Sequence, residues 1–367
     1  MSTAAVITLH QVCNYGTQLQ AYATQEKLRQ YFDDVVFIDY RRPDTYGKGL
    51  LHTYAKGNPI RALAIMPTLA RWNQVFGRFR KQYLNLTHET YFSEADFADF
   101  QDCADVYISG SDQVWNAGWN QGVIPAMYLS FAPEKKPKYA YASSFGRTVL
   151  PEQEVNESQR YIDRFNAISV REESGVTILK EQYNYTNVRR ILDPTLAMTP
   201  DFWRSVASSC RIKGDYILIY NLNRSAEFDR YAVELSKRTG VPIYRFCTRY
   251  DQVLRPGKSL VIPDIFDFVS LVDNATYVLT DSFHATAFSM NMNTEPICIY
   301  PNKYSGRLSE FLQLVNAEQR RVRDYMDFDV VNRHVNFDEV NAVLNAERQR
   351  VDEFLMQMQS AVNANNM

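Results

Sequence analysis

The 367-residue sequence predicts an α/β protein: two α/β domains facing each other across a crevice. Three observations carry that expectation. Short apolar runs alternate with helical periodicity along most of the chain. Nearly every run ends in a small or polar cluster, as when one edge of a parallel sheet lines a crevice. The length also exceeds what one ordinary core fills. The expected boundaries are 1–198 for the first domain, with an insertion at 45–88, and 199–335 for the second. A C-terminal helix at 336–367 reads as crossing back to the first domain.

Residues 4–9 form the first apolar run, which meets the turn signal Asn14-Tyr15-Gly16. Helical spacing follows at 18–31 through Leu19, Tyr22, Ala23 and Leu28, then a second strand at 35–40. No Gly-x-Gly-x-x-Gly is present, so this opening is not a dinucleotide fingerprint. The stretch 45–88 differs in character. It has no Asp or Glu but carries Lys48, Lys56, Arg61, Arg71, Arg78, Arg80 and Lys81 among Leu63, Ile65, Met66, Leu69, Trp72, Val75, Phe76 and Phe79. It reads either as a contact to a membrane surface or polyanion, or as a packed insertion with a solvated basic face.

Further strands are expected at 106–108, 139–143, 167–170 and 188–192. They end at Ser109-Gly110-Ser111-Asp112, Ser144-Phe145-Gly146-Arg147, Arg171 and Asp193-Pro194-Thr195. The second domain is expected to place strands at 216–221, 243–247, 259–262, 277–279 and 296–300. A long helical pattern at 340–362 closes the chain.

A composition of 46% hydrophobic and 22% charged residues with net charge -2 fits a globular enzyme and argues against general nucleic-acid binding. The five scattered cysteines include no Cys-x-x-Cys pair, which fits free thiols in a reducing cytosol. The N-terminus lacks signal-peptide features, and no apolar run approaches the ~20 residues of a membrane span. A cytoplasmic location follows, peripheral at the inner membrane face if 45–88 touches lipid. Asp327-Phe328-Asp329 has metal-binding spacing but lies in the charged stretch 320–329, read as solvated surface. With no His/Cys cluster, neither metal nor cofactor is expected.

The stretch 280–290, Thr-Asp-Ser-Phe-His-Ala-Thr-Ala-Phe-Ser-Met, organises the rest. It reads as a strand end, a capping turn and a short helix, with His284 in the first helical turn. A lone His is more often structural than functional. At a helix N-terminus beyond a strand, however, it sits where anions bind and where an acid can act.

Six separated motifs then align with one family. Asn14-Tyr15-Gly16 with Leu19-Gln20-Ala21-Tyr22, Gly110-Ser111-Asp112-Gln113-Val114-Trp115-Asn116 and Tyr141-Ala142-Ser143-Ser144-Phe145-Gly146 resemble the polysaccharide pyruvyl transferase family. So do Val170-Arg171-Glu172-Glu173-Ser174-Gly175, Leu192-Asp193-Pro194-Thr195 and Thr280-Asp281-Ser282-Phe283-His284-Ala285-Thr286. Ala285 departs from the glycine that often follows the family's histidine. The resemblance implies a GT-B-like fold and transfer of pyruvate from phosphoenolpyruvate to two sugar hydroxyls. The product would be a cyclic ketal on a cell-surface polysaccharide or lipid-linked glycan, with phosphate released. Two rival readings remain: a glycosyltransferase using a nucleotide sugar, and a non-catalytic glycan-binding protein.

That chemistry needs groups that neutralise anions, an acid, and a base for a hydroxyl. His284 is expected as the acid or the principal phosphate contact, in the second domain on the donor side. Arg171, Ser282, Lys303, Arg307 and, more weakly, Arg147 are candidate anion contacts. The alternative for Arg171 is an ion pair with a local Glu, and Lys303 and Arg307 could be solvated surface charges. Asp112 is a candidate base or hydroxyl holder, or else a helix cap. Asn14, Tyr15, Gly16, Ser111, Gln113, Trp115, Ser144 and Phe145 complete the expected acceptor side. Trp115 would stack on a sugar or simply pack in the core, and Asn14 would bind or simply cap.

Overall fold

The computed structural model describes residues 2–223, 225–300 and 306–365. They form two compact units. The first comprises Met1–Pro59, Phe79–Ala197 and Ala346–Met367, and the second Ile60–Arg78 and Met198–Asn345.

In the first unit the strands are β1 (Thr3–Ile7), β2 (Asp34–Tyr40), β3 (Leu86–Tyr91), β4 (Val106–Ser109), β5 (Lys138–Ser143), β6 (Ala167–Val170) and β7 (Val188–Arg190). They lie in the order β3-β2-β1-β4-β5-β6-β7, all parallel. Ala5 of β1 sits opposite Val36 on one side and Tyr107 on the other. Ala4, Ala5, Val6 and Ile7 are wholly buried, as expected of a central parallel strand covered on both faces. The strand order reverses at β1/β4, where such sheets open a crevice beyond their carboxyl ends.

The second unit repeats the plan. Its strands are β8 (Ile217–Tyr220), β9 (Ile243–Cys247), β10 (Lys258–Val261), β11 (Tyr277–Thr280), β12 (Glu295–Ile299) and β13 (Arg321–Val322). Their order is β10-β9-β8-β11-β12-β13, again all parallel, with the reversal at β8/β11. Helices make the crossovers that parallel strands require. Helix Tyr15–Leu28 follows β1 and starts at Asn14, whose side chain accepts from the Thr17 N–H. Helix Ala226–Thr239 follows β8, starts at Ser225 and stops at Gly240, which is left-handed at φ 70°.

The insertion departs from expectation. It folds into helices Gly47–Ala55, Pro59–Trp72 and Arg78–Tyr83, with a π-helical turn at Asn73–Gly77, and 86–91 becomes the edge strand β3. Polar Thr87, His88 and Glu89 conceal that strand from an apolar-run reading. Ile60–Arg78 does not belong to the first unit but to the second. There the Trp72 indole N–H donates to the Thr248 carbonyl at 2.7 Å, and the Tyr250 N–H donates to the Thr68 hydroxyl at 3.2 Å. Arg78 and Arg71 lie 2.5 and 3.9 Å from Asp264. The first-domain boundary of 1–198 is corrected accordingly.

The C-terminal helix runs Phe337–Asn365, and from Ala346 onward it is part of the first unit. Asp352 pairs with Lys27 at 2.5 Å and accepts from the Tyr31 hydroxyl at 2.6 Å. Arg190 binds Glu347 at 2.8 Å.

The stretch 320–329 is not a uniformly solvated surface. Arg320 is fully buried, donating to the carbonyls of Pro296, Val330 and Arg333 at 2.6–2.9 Å. Asp327 pairs with Arg333 at 2.6 Å. Removing the Arg320 fork would take a donor from two buried carbonyls and one part-buried carbonyl and leave Glu295, 3.3 Å away, without that cation. Arg320→Leu should therefore cost ~3 kcal/mol, read as a lower urea midpoint at unchanged m-value.

Candidate functional site

At the carboxyl ends of the first sheet, Arg171 is the centre of a buried ionic hub. Its Nη1 donates to Asp193 at 2.6 Å and its Nη2 to Asp112 at 3.0 Å, while Nε lies 3.6 Å from Glu172. Asp193 also accepts from the Thr195 N–H and hydroxyl and from the Ser111 hydroxyl. Asp112 accepts from the Thr17 hydroxyl at 2.7 Å, and Glu172 from the Ser144 hydroxyl at 2.5 Å. Burial alone would lower the Arg171 pKa, but Asp112, Asp193 and Glu172 outweigh it and raise it. Within this hub one cation faces three carboxylates. The expected role of Arg171 as a clamp for substrate anions is thus displaced by its ion pairs.

Asp112 holds φ at 73°, a left-handed conformation that a non-glycine residue adopts only under constraint. Its side chain retains 11% of its surface, against 1–2% for Arg171, Glu172 and Asp193. Of the three carboxylates it is the one most open to a ligand. Ala142 on β5 is likewise left-handed at φ 52°, next to the register shift that sets Ser143 and Ser144.

Several residues expected on the acceptor side are structural. Trp115 is 1% exposed, stacks on Tyr128 at 5.2 Å and donates to the Met127 carbonyl. Phe145 is fully buried beside it at 5.1 Å. Neither can stack on a sugar. Asn14 caps its helix, and Tyr15 and Gly16 are buried in that helix's first turn. Gln113 accepts from Asn116 at 2.5 Å, and Arg147, expected instead as an anion contact, pairs with Glu154 at 2.9 Å.

A second buried network lies at the end of β1 and β2. His10 Nδ1 faces the Thr8 carbonyl and Nε2 faces both the Gln11 amide and Asp39. Burial holds the His10 pKa below 6.5 although Asp39 pulls it up. A neutral imidazole fits, donating from Nδ1 to Thr8 and accepting at Nε2 from Gln11. Asp39 is already served by Gln11, Arg41 and Thr90.

In the second unit, Ser282 caps helix Phe283–Met292 by accepting from the Ala285 N–H, so His284 stands in the first turn just beyond β11. It is buried, 8% exposed, with its ring 5.3 Å from Phe283. The Arg307 guanidinium lies 5.7 Å from the opposite partner of that ring pair, Phe283. Lys303 falls outside the described residues. Asp281 accepts from the Leu222 and Asn223 N–H groups at 2.7 and 2.9 Å, fixing the β8 loop to the β11 loop. Burial raises its pKa and those hydrogen bonds resist the rise.

Beside Asp281 opens a cavity of about 310 Å³ lined by Asn223, Ser225, Tyr300, Arg321, Arg323 and Tyr325 among others. Arg321 lies over the Tyr300 ring at 4.1 Å. Sequence reasoning missed this concavity because its walls come from the ends of β8, β11, β12 and β13. It also missed Thr17 and the ligating roles of Glu172 and Asp193, although the latter two lay within quoted motifs.

Two doubly wound parallel sheets define an α/β protein of the GT-B type. The solved structure of Os79 from O. sativa in complex with UDP matches with TM-score 0.53 at 9% identity, covering 98% of this chain and 100% of that one. Os79 in complex with U2F and trichothecene also matches at 0.53, with 7% identity and the same coverage. A UDP-N-acetylglucosamine 2-epimerase from Rickettsia bellii matches at 0.48, with 9% identity over 99% of this chain and 98% of that one. At such identities the likeness concerns the fold alone. No curated protein matches the sequence. The family model for polysaccharide pyruvyl transferase matches residues 14–303, and the chain belongs to that family.

Two outcomes follow from this geometry. Asp193→Ala should destabilise by ~3–5 kcal/mol by stranding a buried guanidinium, and Asp112→Ala by less because its side chain is the more exposed. Urea unfolding of both variants checks the ranking. His10 is depressed when folded, so unfolding takes up a proton as pH falls below its ordinary 6.5, and stability drops there. His10→Gln should flatten that part of the stability–pH curve.

Proposed function

We propose that the protein transfers the pyruvyl group of phosphoenolpyruvate to two hydroxyls of one sugar in a cell-surface polysaccharide or lipid-linked glycan precursor. The observation that carries this reading is the family match across 14–303, which includes the His284 motif. Two bonds form from C2 of the donor to sugar oxygens, and the C2–O bond to phosphate breaks. One hydroxyl proton ends on C3, turning methylene into methyl, and the other leaves on phosphate. The balance needs no cofactor.

The donor is assigned to the second unit. His284, at a helix N-terminus, delivers the proton or holds the phosphate, and Ser282 and Arg307 add contacts to its anionic groups. Lys303 keeps its role as a candidate on sequence grounds. The acceptor is assigned to the first unit. An excess of carboxylate around Arg171 suits hydroxyl groups better than a dianion, and Asp112 is its most open member.

The test is release of inorganic phosphate from phosphoenolpyruvate, which should require a suitable acceptor glycan. His284→Ala should lower that release ~100-fold or more while keeping the wild-type melting temperature. Unchanged turnover would remove the assigned role. Thermal stabilisation by uridine nucleotides and not by phosphoenolpyruvate would favour nucleotide-sugar transfer, and sugar binding without turnover would favour a non-catalytic protein.

A further inference from the structure

Trp115 is buried, but a second indole in the same loop is not. Of the four tryptophans, Trp72, Trp115 and Trp203 are at most 3% exposed, whereas Trp119 is 39% exposed. Trp119 stands on the short helix Ala117–Asn120, which continues the segment that carries Asp112. That turn is braced from several sides. Asn116 caps it, its side chain accepting from the Trp119 backbone N–H at 3.2 Å. Asn120 donates to the Gln113 and Val114 carbonyls at 3.2 and 2.9 Å and accepts from Arg42 Nη1. At Gly118 a Cβ would overlap the Arg147 guanidinium, which is itself held by Glu154. Glycine there lets a charged side chain back the turn.

Arg42 fixes the ring as well as the turn. It is buried, its Nε and Nη2 are committed to Asp44 at 3.0 and 2.6 Å, and its guanidinium lies 4.6 Å from the Trp119 ring centroid. A desolvated guanidinium over an indole holds that ring in place. Among the described residues no other cation or ring stacks on Trp119, and its indole N–H has no acceptor. Trp72 and Trp115, by contrast, donate theirs to the Thr248 and Met127 carbonyls. An exposed, pre-oriented indole with an unused donor matches a ligand with a flat apolar face and hydroxyls at its rim. A pyranose ring is such a ligand. The groups that hold the indole, Arg42, Asp44, Asn116 and Asn120, are polar or charged, which suits hydroxyls and not an acyl chain. We infer that Trp119 is a specificity-determining contact for a sugar ring of the acceptor, stacking on it by the face away from Arg42. The inference rests on the assignment of the acceptor to the first unit, and it supplies the stacking surface that buried Trp115 and Phe145 do not.

Binding is measured without turnover. Wild-type protein is titrated with the methyl glycosides of galactose, glucose, mannose and N-acetylglucosamine while the quenching of tryptophan emission by acrylamide is followed. Because the other three indoles are buried, the quenchable emission reports Trp119. At least one glycoside should shield it. Saturation-transfer NMR with that glycoside should show binding weakened about tenfold or more in Trp119→Ala and largely kept in Trp119→Phe, both with melting temperatures near wild type. No shielding by any glycoside would overturn the inference, as would equal binding by Trp119→Ala or shielding by anionic vesicles alone. Phosphate release from phosphoenolpyruvate, assayed with the glycoside that binds, separates the two readings. Binding through Trp119 without release counts against the transfer reaction and leaves the contact standing. Release that Trp119→Ala retains at the wild-type KM for the glycoside counts against the contact alone.

Discussion

The Arg171 guanidinium is the interaction on which the first unit's functional edge depends. Five strands reach it or its ligands: β1 through Thr17 in the following helix, β4 through Asp112, β5 through Ser144, β6 through Arg171 and Glu172, and β7 through Asp193. Loops at a sheet edge are ordinarily the most mobile part of an α/β protein. Here a single buried cation fixes their relative positions, and each carboxylate is fixed in turn by hydroxyl or amide donors. Such a centre is costly to break because any missing partner leaves charge in a low-dielectric setting.

The second unit solves a different electrostatic problem at the same topological position. Asp281 spends its carboxylate on the backbone of the β8 loop, which leaves the neighbouring helix N-terminus of His284 without a competing acid in its first turn. Arg321, Arg323 and Arg307 stand on the elements that follow β12 and at β13. One sheet edge thus concentrates three carboxylates around a sequestered cation, whereas at the other Asp281 is occupied by backbone N–H groups and Arg321 and Arg323 line the cavity together with Glu227 and Asp324. The division of donor and acceptor proposed above rests on that contrast, since a phosphate and a carboxylate on one small molecule are poorly received by a surplus of negative charge.

Much of this was legible in the sequence. The strand runs at 106–108 and 277–279 carry continuous apolar character, as central parallel strands must. His284 was placed correctly because a capping serine two residues earlier marks a helix start. What stayed hidden was partnership. Nothing local to Arg171 announces that Asp193, 22 positions on, will take its fork. Nothing near Trp115 distinguishes a ring that stacks on sugar from one that stacks on Tyr128. Arg320 sits in a run of charges whose pattern signals solvent, yet three carbonyls from non-adjacent segments close around it. Period and propensity report a residue's own element, whereas burial of a charge depends on chain that arrives from elsewhere.

The division of the chain follows the same logic. Ile60–Arg78, from the N-terminal half, completes the second unit by covering the Thr248 and Ile262 carbonyls, and Ala346 onward returns to complete the first by satisfying Lys27, Tyr31 and Arg190. Neither unit is a contiguous piece of sequence. A cut at the apparent boundary near 198 would therefore strip each half of a packed helix and uncover Trp72 and Phe354, among the larger buried side chains of those helices. Folding of either half is thereby tied to synthesis of the other, and the last turns of Phe337–Asn365 can dock only once the whole chain exists.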